Sequence, residues 1–421
     1  MFKRILRRDG SVILLVPKKD TQAITVEILY KIGSRQEVPA NNGVSHFIEH
    51  LMFKGTDKRP HTVDIAKELD SVGAEYNAFT GKEYTGYYVM ADNSHAFLAV
   101  DILSDMLHAS KFDAKEMDRE RGVIVEEINM YEDNPAMFID EVFENLLFTG
   151  SALGRPIAGP RQVIQTISRQ ALYNYYRRYY YGGNTVIGVA GNFSEAKILR
   201  LIDKFFPSRI RHKRLAIRPI PKTRQNKAAI ELIKRDLEQV QLMLGWRGVP
   251  GTDKRFLALQ VLGNILGGTM SSRLFLQIRE RMGLCYFIRA EVNGYEDTGY
   301  FAVHAGLNKD KIYEALQAIK AELDLIKNKG VDPVELKKAK DNIRGHLILR
   351  LESATNYLNF LAAQEIWGQR IKDLKQTLAE LDRITLAQVN QLAKELVKWP
   401  QSNLAIIGPF AQRKEFLKIL K

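Results

Sequence analysis

The chain has 421 residues, enough for two to four domains of ordinary size, and 45% of its residues are hydrophobic, as in a soluble globular protein. It contains no apolar run near the roughly 20 residues that cross a bilayer, and its basic start is not followed by a signal-like apolar segment, so neither a membrane span nor a secretory signal is expected. The single cysteine, Cys285, excludes an intramolecular disulfide and is consistent with a reducing compartment, which predicts a cytoplasmic protein.

The net charge is +13, and much of the excess lies in one stretch in the middle of the chain. Residues 208–227 include eight basic side chains and no acidic one, together with Pro219 and Pro221. A nucleic-acid interface is one interpretation, but the stretch lacks the aromatic residues on which bases stack. We therefore predict a solvated linker at 213–228 that joins a domain at 1–212 to a domain at 229–421, and no nucleic-acid partner.

The first predicted elements are two strands, at 12–16 and 23–31, because both stretches are rich in β-branched residues. The strand at 12–16 is expected to be the first element of the fold. The helix that follows Gly43 is the most informative element of the chain. It contains His46, Glu49 and His50, whose spacings of three and four residues place them on one helical face opposite an apolar face.

Two imidazoles one helical turn apart can bind the same divalent metal ion, and zinc accepts such ligands readily. A carboxylate beside them that is not a ligand can hold a metal-activated water and take its proton. The pattern His46-x-x-Glu49-His50 is also the signature of inverted zinc peptidases. The alternative interpretation is a surface helix on which the two histidines are incidental.

A zinc site with two histidines still requires a third ligand from the protein. The chain continues with further predicted elements, namely a helix at 62–72, strands at 74–80 and 84–90, and helices at 94–110, 114–132 and 135–148. On the helix at 114–132, Glu120 and Glu127 share one face two turns apart, whereas Glu126 points about 100° away from Glu127. A carboxylate of this helix could complete the site, although an ordinary acidic helix face would show the same spacing.

The order of motifs at 167–206 recurs at 384–420, at an offset of about 217 residues. Such a repeat indicates duplication of one α/β unit. The second half also begins with a predicted strand, at 239–246, and a helix at 255–266 that lacks histidine and glutamate. We therefore predict an α+β fold with two homologous α/β domains, each a mostly antiparallel sheet packed with helices, of which only the first has the metal motif.

These motifs and the two-half organisation resemble the pitrilysin family of zinc metallopeptidases, which includes insulin-degrading enzyme and mitochondrial processing peptidase. The resemblance covers essentially the whole chain, and it includes the segment from Glu120 to Glu127. It implies that His46, His50 and Glu127 bind one zinc ion per chain, with Glu126 as the second choice for the third ligand. It further implies that Glu49 is the general base and that Glu120 orients a ligand imidazole.

Two further segments resemble the same family. Residues 73–80 resemble the strand that pairs with the substrate backbone, with Ala74 in place of a second glycine, which assigns substrate binding to Asn77, Ala78 and Phe79. An ordinary hairpin strand is the alternative. Residues 272–286 resemble the Arg…Tyr motif of the second domain. This resemblance implies that Arg279 and Tyr286 stabilise the oxyanion of the tetrahedral intermediate.

The resemblance as a whole implies a zinc-dependent endopeptidase that cleaves short or unfolded polypeptides. The alternative within the same family is a non-catalytic subunit that has a structural or substrate-presenting role. Family members of this length work as dimers, so a homodimer or a heterodimer with a related chain is expected.

Overall fold

The computed structural model describes residues 2–208 and 225–421. The strands are β1 (Lys3–Leu6), β2 (Val12–Pro17), β3 (Ala23–Tyr30), β4 (Glu75–Thr80), β5 (Thr85–Asp92), β6 (Thr185–Gly191), β7 (Ala229–Lys234), β8 (Gln239–Arg247), β9 (Cys285–Gly294), β10 (Gly299–Asn308) and β11 (Asn403–Gly408). The first eight α-helices are α1 (Val44–Met52), α2 (Thr62–Asp70), α3 (Ala96–Ala109), α4 (Ala114–Asp133), α5 (Pro135–Leu147), α6 (Arg161–Thr166), α7 (Arg169–Tyr179) and α8 (Glu195–Phe205). The others are α9 (Phe256–Gly267), α10 (Ile312–Lys329), α11 (Pro333–Leu351), α12 (Ala354–Ile366), α13 (Leu374–Asp382), α14 (Leu386–Leu396) and α15 (Lys414–Leu420), and a π-helix spans Phe275–Arg281.

The chain forms two compact units. Unit 1 comprises Met1–Asn129, Arg155–Arg218 and Arg350–Lys372, and unit 2 comprises Met130–Gly154, Pro219–Leu349 and Asp373–Lys421. The predicted domains at 1–212 and 229–421 would assign residues 130–154 to the first domain and residues 350–372 to the second. In the structure, residues 130–154 belong to unit 2 and residues 350–372 belong to unit 1. Of the linker predicted at 213–228, all but 225–228 lies outside the described residues.

The sheet of unit 1 has the strand order β1-β2-β6-β3-β5-β4. Only β2 and β6 run parallel, and the remaining neighbours are antiparallel. The prediction that 12–16 is the first strand was wrong, because β1 precedes it and pairs with β2. The strand Lys3–Leu6 was not predicted, because it is an edge strand whose mostly exposed side chains form no apolar run.

Both faces of this sheet are covered, which explains the nearly continuous apolar sequence of β2. Ile13 and Leu15 belong to the core cluster that also contains Phe47 and Leu51 of α1. Val12, Leu14 and Val16 point to the other face, where they pack with Leu358 and Leu361 of α12. The helix α1 is therefore fixed against one face of the sheet by its apolar side.

The sheet of unit 2 has the order β7-β11-β8-β10-β9, with β7 and β11 parallel and the other neighbours antiparallel. One face carries the large core that includes α9, and the other packs against α5 through contacts such as Phe143 with Tyr300. The order and directions match β2-β6-β3-β5-β4 of unit 1 strand for strand. This match confirms the predicted pair of homologous α/β domains with mostly antiparallel sheets.

Among the described residues, none of the helices combines the length and the apolar character needed to cross a bilayer.

Candidate metal centre

The start of α1 is fixed by a buried carboxylate. Glu37 accepts hydrogen bonds from the backbone nitrogens of Gly43 at 2.7 Å and Ser45 at 2.8 Å, and from the amide of Asn42 at 2.8 Å. A helix N-terminus has free N–H groups and a partial positive charge, so an acidic partner there stabilises it. Gly43 has φ 98°, a conformation that favours glycine, and a Cβ at this position would lie 2.5 Å from the carbonyl oxygen of Ala158.

The side chains of His46, His50 and Glu127 converge on one point. The two Nε2 atoms lie 3.3 Å apart, and Oε2 of Glu127 lies 3.5 Å from Nε2 of His46 and 3.4 Å from Nε2 of His50. In a tetrahedral zinc site with bonds of 2.0 to 2.1 Å, the donor atoms stand ~3.3 Å from one another. The three residues therefore fit a zinc ion in number, chemistry and spacing.

Glu120 is buried and holds one ligand imidazole from behind. Its Oε2 lies 2.9 Å from Nδ1 of His50, and its Oε1 accepts from Nζ of Lys54 at 2.7 Å. When Nδ1 of His50 donates to Glu120, Nε2 is left with its lone pair directed towards Glu127 and His46. Lys54, one turn after His50 on the chain, was missed by the sequence analysis, since a lysine at a helix end is usually solvated.

The carboxylates in this cluster raise the pKa of one of the two imidazoles. Burial lowers the pKa of His50, but the hydrogen bonds with Glu120 and Glu127 outweigh burial and raise that pKa to about 9. The pKa of Glu127 is well below its usual range, first because of its hydrogen bond with His46 and then because of that with His50. This strong attraction for positive charge is what a cation would meet at the site.

Glu49 lies on the same helix face but stands outside the converging donor atoms. Its Oε2 accepts a hydrogen bond from the hydroxyl of Thr80 at 2.5 Å. Burial raises the pKa of Glu49, and the hydrogen bond from Thr80 opposes that effect only in part. A half-buried carboxylate with a raised pKa beside a metal centre has the properties of a proton carrier. Thr80 ends the segment at 73–80, and the sequence predicted no role for it.

Glu126 does not join this group. Its side chain is exposed, and its Oε2 lies 3.4 Å from the amide nitrogen of Asn129 on the same helix. Among the described residues, the group that could hold a metal ion in unit 1 is His46, His50 and Glu127.

The strand that contains Asn77, Ala78 and Phe79 is β4, the last strand of its sheet, and Thr80 at its end contacts Glu49. Asn77 and Phe79 are exposed, and Ala78 is half-buried. In the described part of the chain β4 pairs only with β5, so its outer edge offers unpaired backbone groups next to the metal centre.

Comparisons with known proteins place this chain in a family. The sequence profile described as "Insulinase (Peptidase family M16)" matches residues 12–161, and the profile described as "Peptidase M16 inactive domain" matches residues 166–343. An uncharacterized zinc protease of Bacillus subtilis is 34% identical over 409 residues, which are 97% of this chain and 98% of that protein. The chain belongs to the M16 peptidase family. The resemblance to this family that the sequence motifs indicated is thereby confirmed.

Other M16 relatives show the same extent of similarity. An uncharacterized zinc protease of Streptomyces coelicolor is 34% identical over 398 residues, 93% of this chain and 86% of that protein. Among solved structures, a protease from Helicobacter pylori superimposes with a TM-score of 0.88 at 23% identity, covering 97% of this chain and 99% of the other. That likeness confirms the two-domain α/β fold.

The segment at 272–286, which contains Arg279 and Tyr286, lies in unit 2. Arg279 lies in the π-helix Phe275–Arg281, with its guanidinium 4.9 Å from the centre of the Phe275 ring, and Tyr286 lies on β9 with 62% of its surface exposed. Arg273 is held apart from this pair by a two-pronged ion pair with Glu335, in which both N–O distances are 2.6 Å. Arg279 and Tyr286 are both exposed, as are Glu280 and Arg281 between them.

Proposed function

We propose that this M16 protein is a zinc-dependent endopeptidase that hydrolyses peptide bonds in short or unfolded polypeptides. The observation that supports it most directly is the convergence of three donor atoms, 3.3 to 3.5 Å apart, beside a carboxylate that is not a ligand. A structural zinc site is closed by four protein ligands, whereas a catalytic site has three and keeps one position open. Three donors with Glu49 next to them match the catalytic kind.

Metal binding and proton transfer are assigned to different residues of the chain. A zinc ion held by His46, His50 and Glu127 would supply Lewis acidity, which polarises a carbonyl and lowers the pKa of a water. Glu49 takes a proton from that water at its carboxylate and later gives it to the leaving amine. Its raised pKa, a result of burial, suits a group that must both accept and return a proton near neutral pH.

The substrate would lie as an extended strand along β4. Backbone pairing of this kind depends little on side chains, so Asn77, Ala78 and Phe79 would position many different sequences. Because pairing requires an extended backbone, folded proteins are poor substrates and unstructured peptides are good ones. In unit 2, Arg279 and Tyr286 would donate hydrogen bonds to the oxyanion.

We further propose that the protein works as a dimer, either with a second copy or with a related chain, as the resemblance to M16 peptidases of similar length implies. Light scattering on the purified chain in its active form tests this assignment. A mass of about 96 kDa, twice the 48.0 kDa of one chain, is expected for a homodimer. A fully active monomer would contradict both forms of the proposal.

The function is tested by Glu49→Gln, which keeps the size of the side chain and removes its ability to carry a proton. We expect the purified variant to retain one zinc per chain by elemental analysis and to lose cleavage of unstructured peptides by about 10²- to 10⁴-fold. Glu126→Gln, an exposed carboxylate near the site, is the matched control and should cleave normally. Undiminished cleavage by Glu49→Gln would end the proposal, and zinc-loaded wild-type protein that cleaves no peptide in a broad library would favour the non-catalytic alternative.

A further inference from the structure

Unit 2 contains a second group of metal-ligand side chains that plays no part in the proposed peptidase site. Asp140 lies on α5, Glu291 on β9 and His304 on β10. In the register of the two strands, Glu291 stands opposite Ala302 and His304 stands opposite Arg289. Ala302 belongs to the cluster packed against α5, so these side chains lie on the sheet face that this helix covers.

Two polar atoms of this group are buried without a partner. His304 is 1% exposed, and neither its Nε2 nor the Oδ1 of Asp140 forms a hydrogen bond within the described part of the chain. Buried polar atoms are nearly always paired, because an unpaired one has lost its hydrogen bonds to water without gaining others. Nδ1 of the same imidazole lies 3.2 Å from Oε1 of Glu291. The two unpartnered atoms therefore each call for a partner that is not part of the described chain, such as a water or an ion.

The donor atoms have the spacing and chemistry of a cation site. One imidazole nitrogen and two carboxylate oxygens lie within 4.8 Å of one another. In octahedral coordination with bonds near 2.1 Å, donor atoms stand ~3 Å apart when adjacent and ~4.2 Å apart when opposite. A mixed nitrogen and oxygen set suits divalent transition ions such as Zn²⁺, Co²⁺ and Mn²⁺ better than Mg²⁺ or Ca²⁺, which prefer oxygen alone.

A neighbouring guanidinium partly neutralises the cluster. Nε of Arg289 donates to Oε1 of Glu291 at 2.6 Å, and its Nη2 lies 3.1 Å from Nδ1 of His304. One guanidinium faces two carboxyl groups, so its charge cannot balance both of them when they are ionised. The side chain of Arg289 is 54% exposed and can turn to solvent, which would open an entry path along β9.

We propose that Asp140, Glu291 and His304 form a second metal site, specific for a divalent transition ion, and that Arg289 competes with the ion for it. The three ligands come from one helix and two strands, so a bound ion would join α5 to the sheet of unit 2. Metal binding that depends on the folded arrangement adds to the stability of the fold. The site would therefore have a structural role, separate from peptide hydrolysis.

The test requires the full chain with the first metal centre disabled by the double change His46→Ala and His50→Ala. After removal of metal with a chelator, this protein is titrated with Co²⁺ and followed by visible absorption and by metal analysis after dialysis. We expect about one Co²⁺ per chain and a rise in melting temperature when the metal is added. Absence of bound Co²⁺ overturns the proposal and leaves the peptidase assignment untouched, because the two sites share no residue.

Further changes in that background identify the ligands. His304→Gln and Glu291→Gln should each abolish Co²⁺ binding and the metal-dependent rise in melting temperature, whereas Glu314→Gln, an exposed acid on α10, should change neither. Arg289→Ala should bind Co²⁺ more tightly, since it removes the competing cation. Folding of every variant is checked by circular dichroism. Folded His304→Gln and Glu291→Gln chains that both still bind one equivalent would contradict the site, and weaker binding by Arg289→Ala would contradict the competition.

Discussion

The two units have the same arrangement of five strands, in which β3 of unit 1 corresponds to β8 of unit 2. The helix that follows this strand along the chain differs between the two units in the side chains that it carries. In unit 1 this helix is α1, which buries Phe47, Ile48 and Leu51 and presents its histidines and Glu49 on the other side. In unit 2 it is α9, in which Leu259, Leu262 and Leu266 are among many buried apolar residues. Because α9 forms the same element without any metal ligand, the fold does not require histidine or glutamate in this helix. Clustered charged and imidazole groups are costly to bury, so their presence in α1 indicates chemistry.

A second contrast concerns the opposite face of each sheet. In unit 1, α12 covers Glu27, whose carboxylate lies 2.8 Å from the amide nitrogen of Asn359 when that amide is oriented to donate. In unit 2, α5 covers His304 with the carboxylate of Asp140 nearby. Both units thus place a polar group beneath the covering helix. On this face of the sheet, the described residues that combine imidazole and carboxylate ligands are those of unit 2.

The largest effect should separate α1 from α9. His50→Ala removes one of three converging donors, and we expect it to abolish both zinc retention and peptide cleavage, with cleavage falling at least 10³-fold. Gln260→Ala, an exposed position on α9, is the matched change and should leave both properties unaltered. Zinc content by elemental analysis and cleavage of a fluorogenic unstructured peptide are measured together. If His50→Ala retained both, the contrast between the two helices would lose its functional meaning.

Much of this arrangement could be predicted from the sequence, since it rests on local patterns. Helical spacing placed His46 and His50 on one face, and the repeated order of motifs predicted two related domains. It could not be predicted that α5 belongs to unit 2 and α12 to unit 1. The sequence pattern of a helix shows which of its faces is buried but not which sheet that face covers. The edge strand β1 could not be predicted, because its mostly exposed side chains form no apolar run.

For the site, spacing alone left Glu120 and Glu127 equivalent, and the resemblance assigned their different parts. The structure shows a physical difference, because Glu127 reaches Nε2 of both histidines, whereas Glu120 reaches Nδ1 of His50 and Lys54. The contacts of Glu37 with Gly43 and Ser45 could not be predicted, since an acidic residue in a loop has no periodic pattern. The same holds for Asp140, Glu291 and His304, which are distant in sequence.

The next largest effect should show whether unit 2 takes part in catalysis although the ligands of the proposed peptidase site, His46, His50 and Glu127, lie in unit 1. Arg279→Lys keeps the charge but removes the planar fork of donors, and we expect kcat to fall about 10²-fold with a small change in KM. Arg281→Lys, two residues further on the chain, is the matched control, since Arg281 is an exposed arginine whose Nη1 donates to Oε1 of Gln277 at 3.1 Å. Equal kinetics for the two variants would assign catalysis to unit 1 alone.

A smaller effect is expected behind the ligands of unit 1. Glu120→Gln leaves the shape of the side chain unchanged but removes the negative charge that orients His50 through Nδ1. Support of this kind is worth about 10- to 100-fold in metal affinity, so zinc should be lost to a chelator at correspondingly lower concentration. Glu126→Gln is the control on the same helix. Unchanged zinc affinity in Glu120→Gln would show that Glu127 and the two histidines need no supporting carboxylate.

The smallest effect should sharpen the contrast between the two covered sheet faces. Burial raises the pKa of Glu27 to about 8, from the 4.5 of an exposed glutamate. The folded chain therefore keeps this proton at pH values where the unfolded chain has lost it. The stability that results is fully present below pH 4.5 and is lost as the pH rises towards 8.

Glu27→Gln mimics the protonated form at every pH, so it should raise the melting temperature by a few degrees at pH 8 and by much less at pH 5. Thermal unfolding of the metal-free chain at the two pH values measures the difference, and Glu75→Gln, an exposed acid on β4, serves as the control. An equal shift at both pH values would mean that Glu27 is already ionised in the folded chain. In that case the hydrogen bond from Asn359 would stabilise the ionised carboxylate of Glu27. The buried acid of unit 1 would then need no metal ion, unlike the acids proposed as ligands in unit 2.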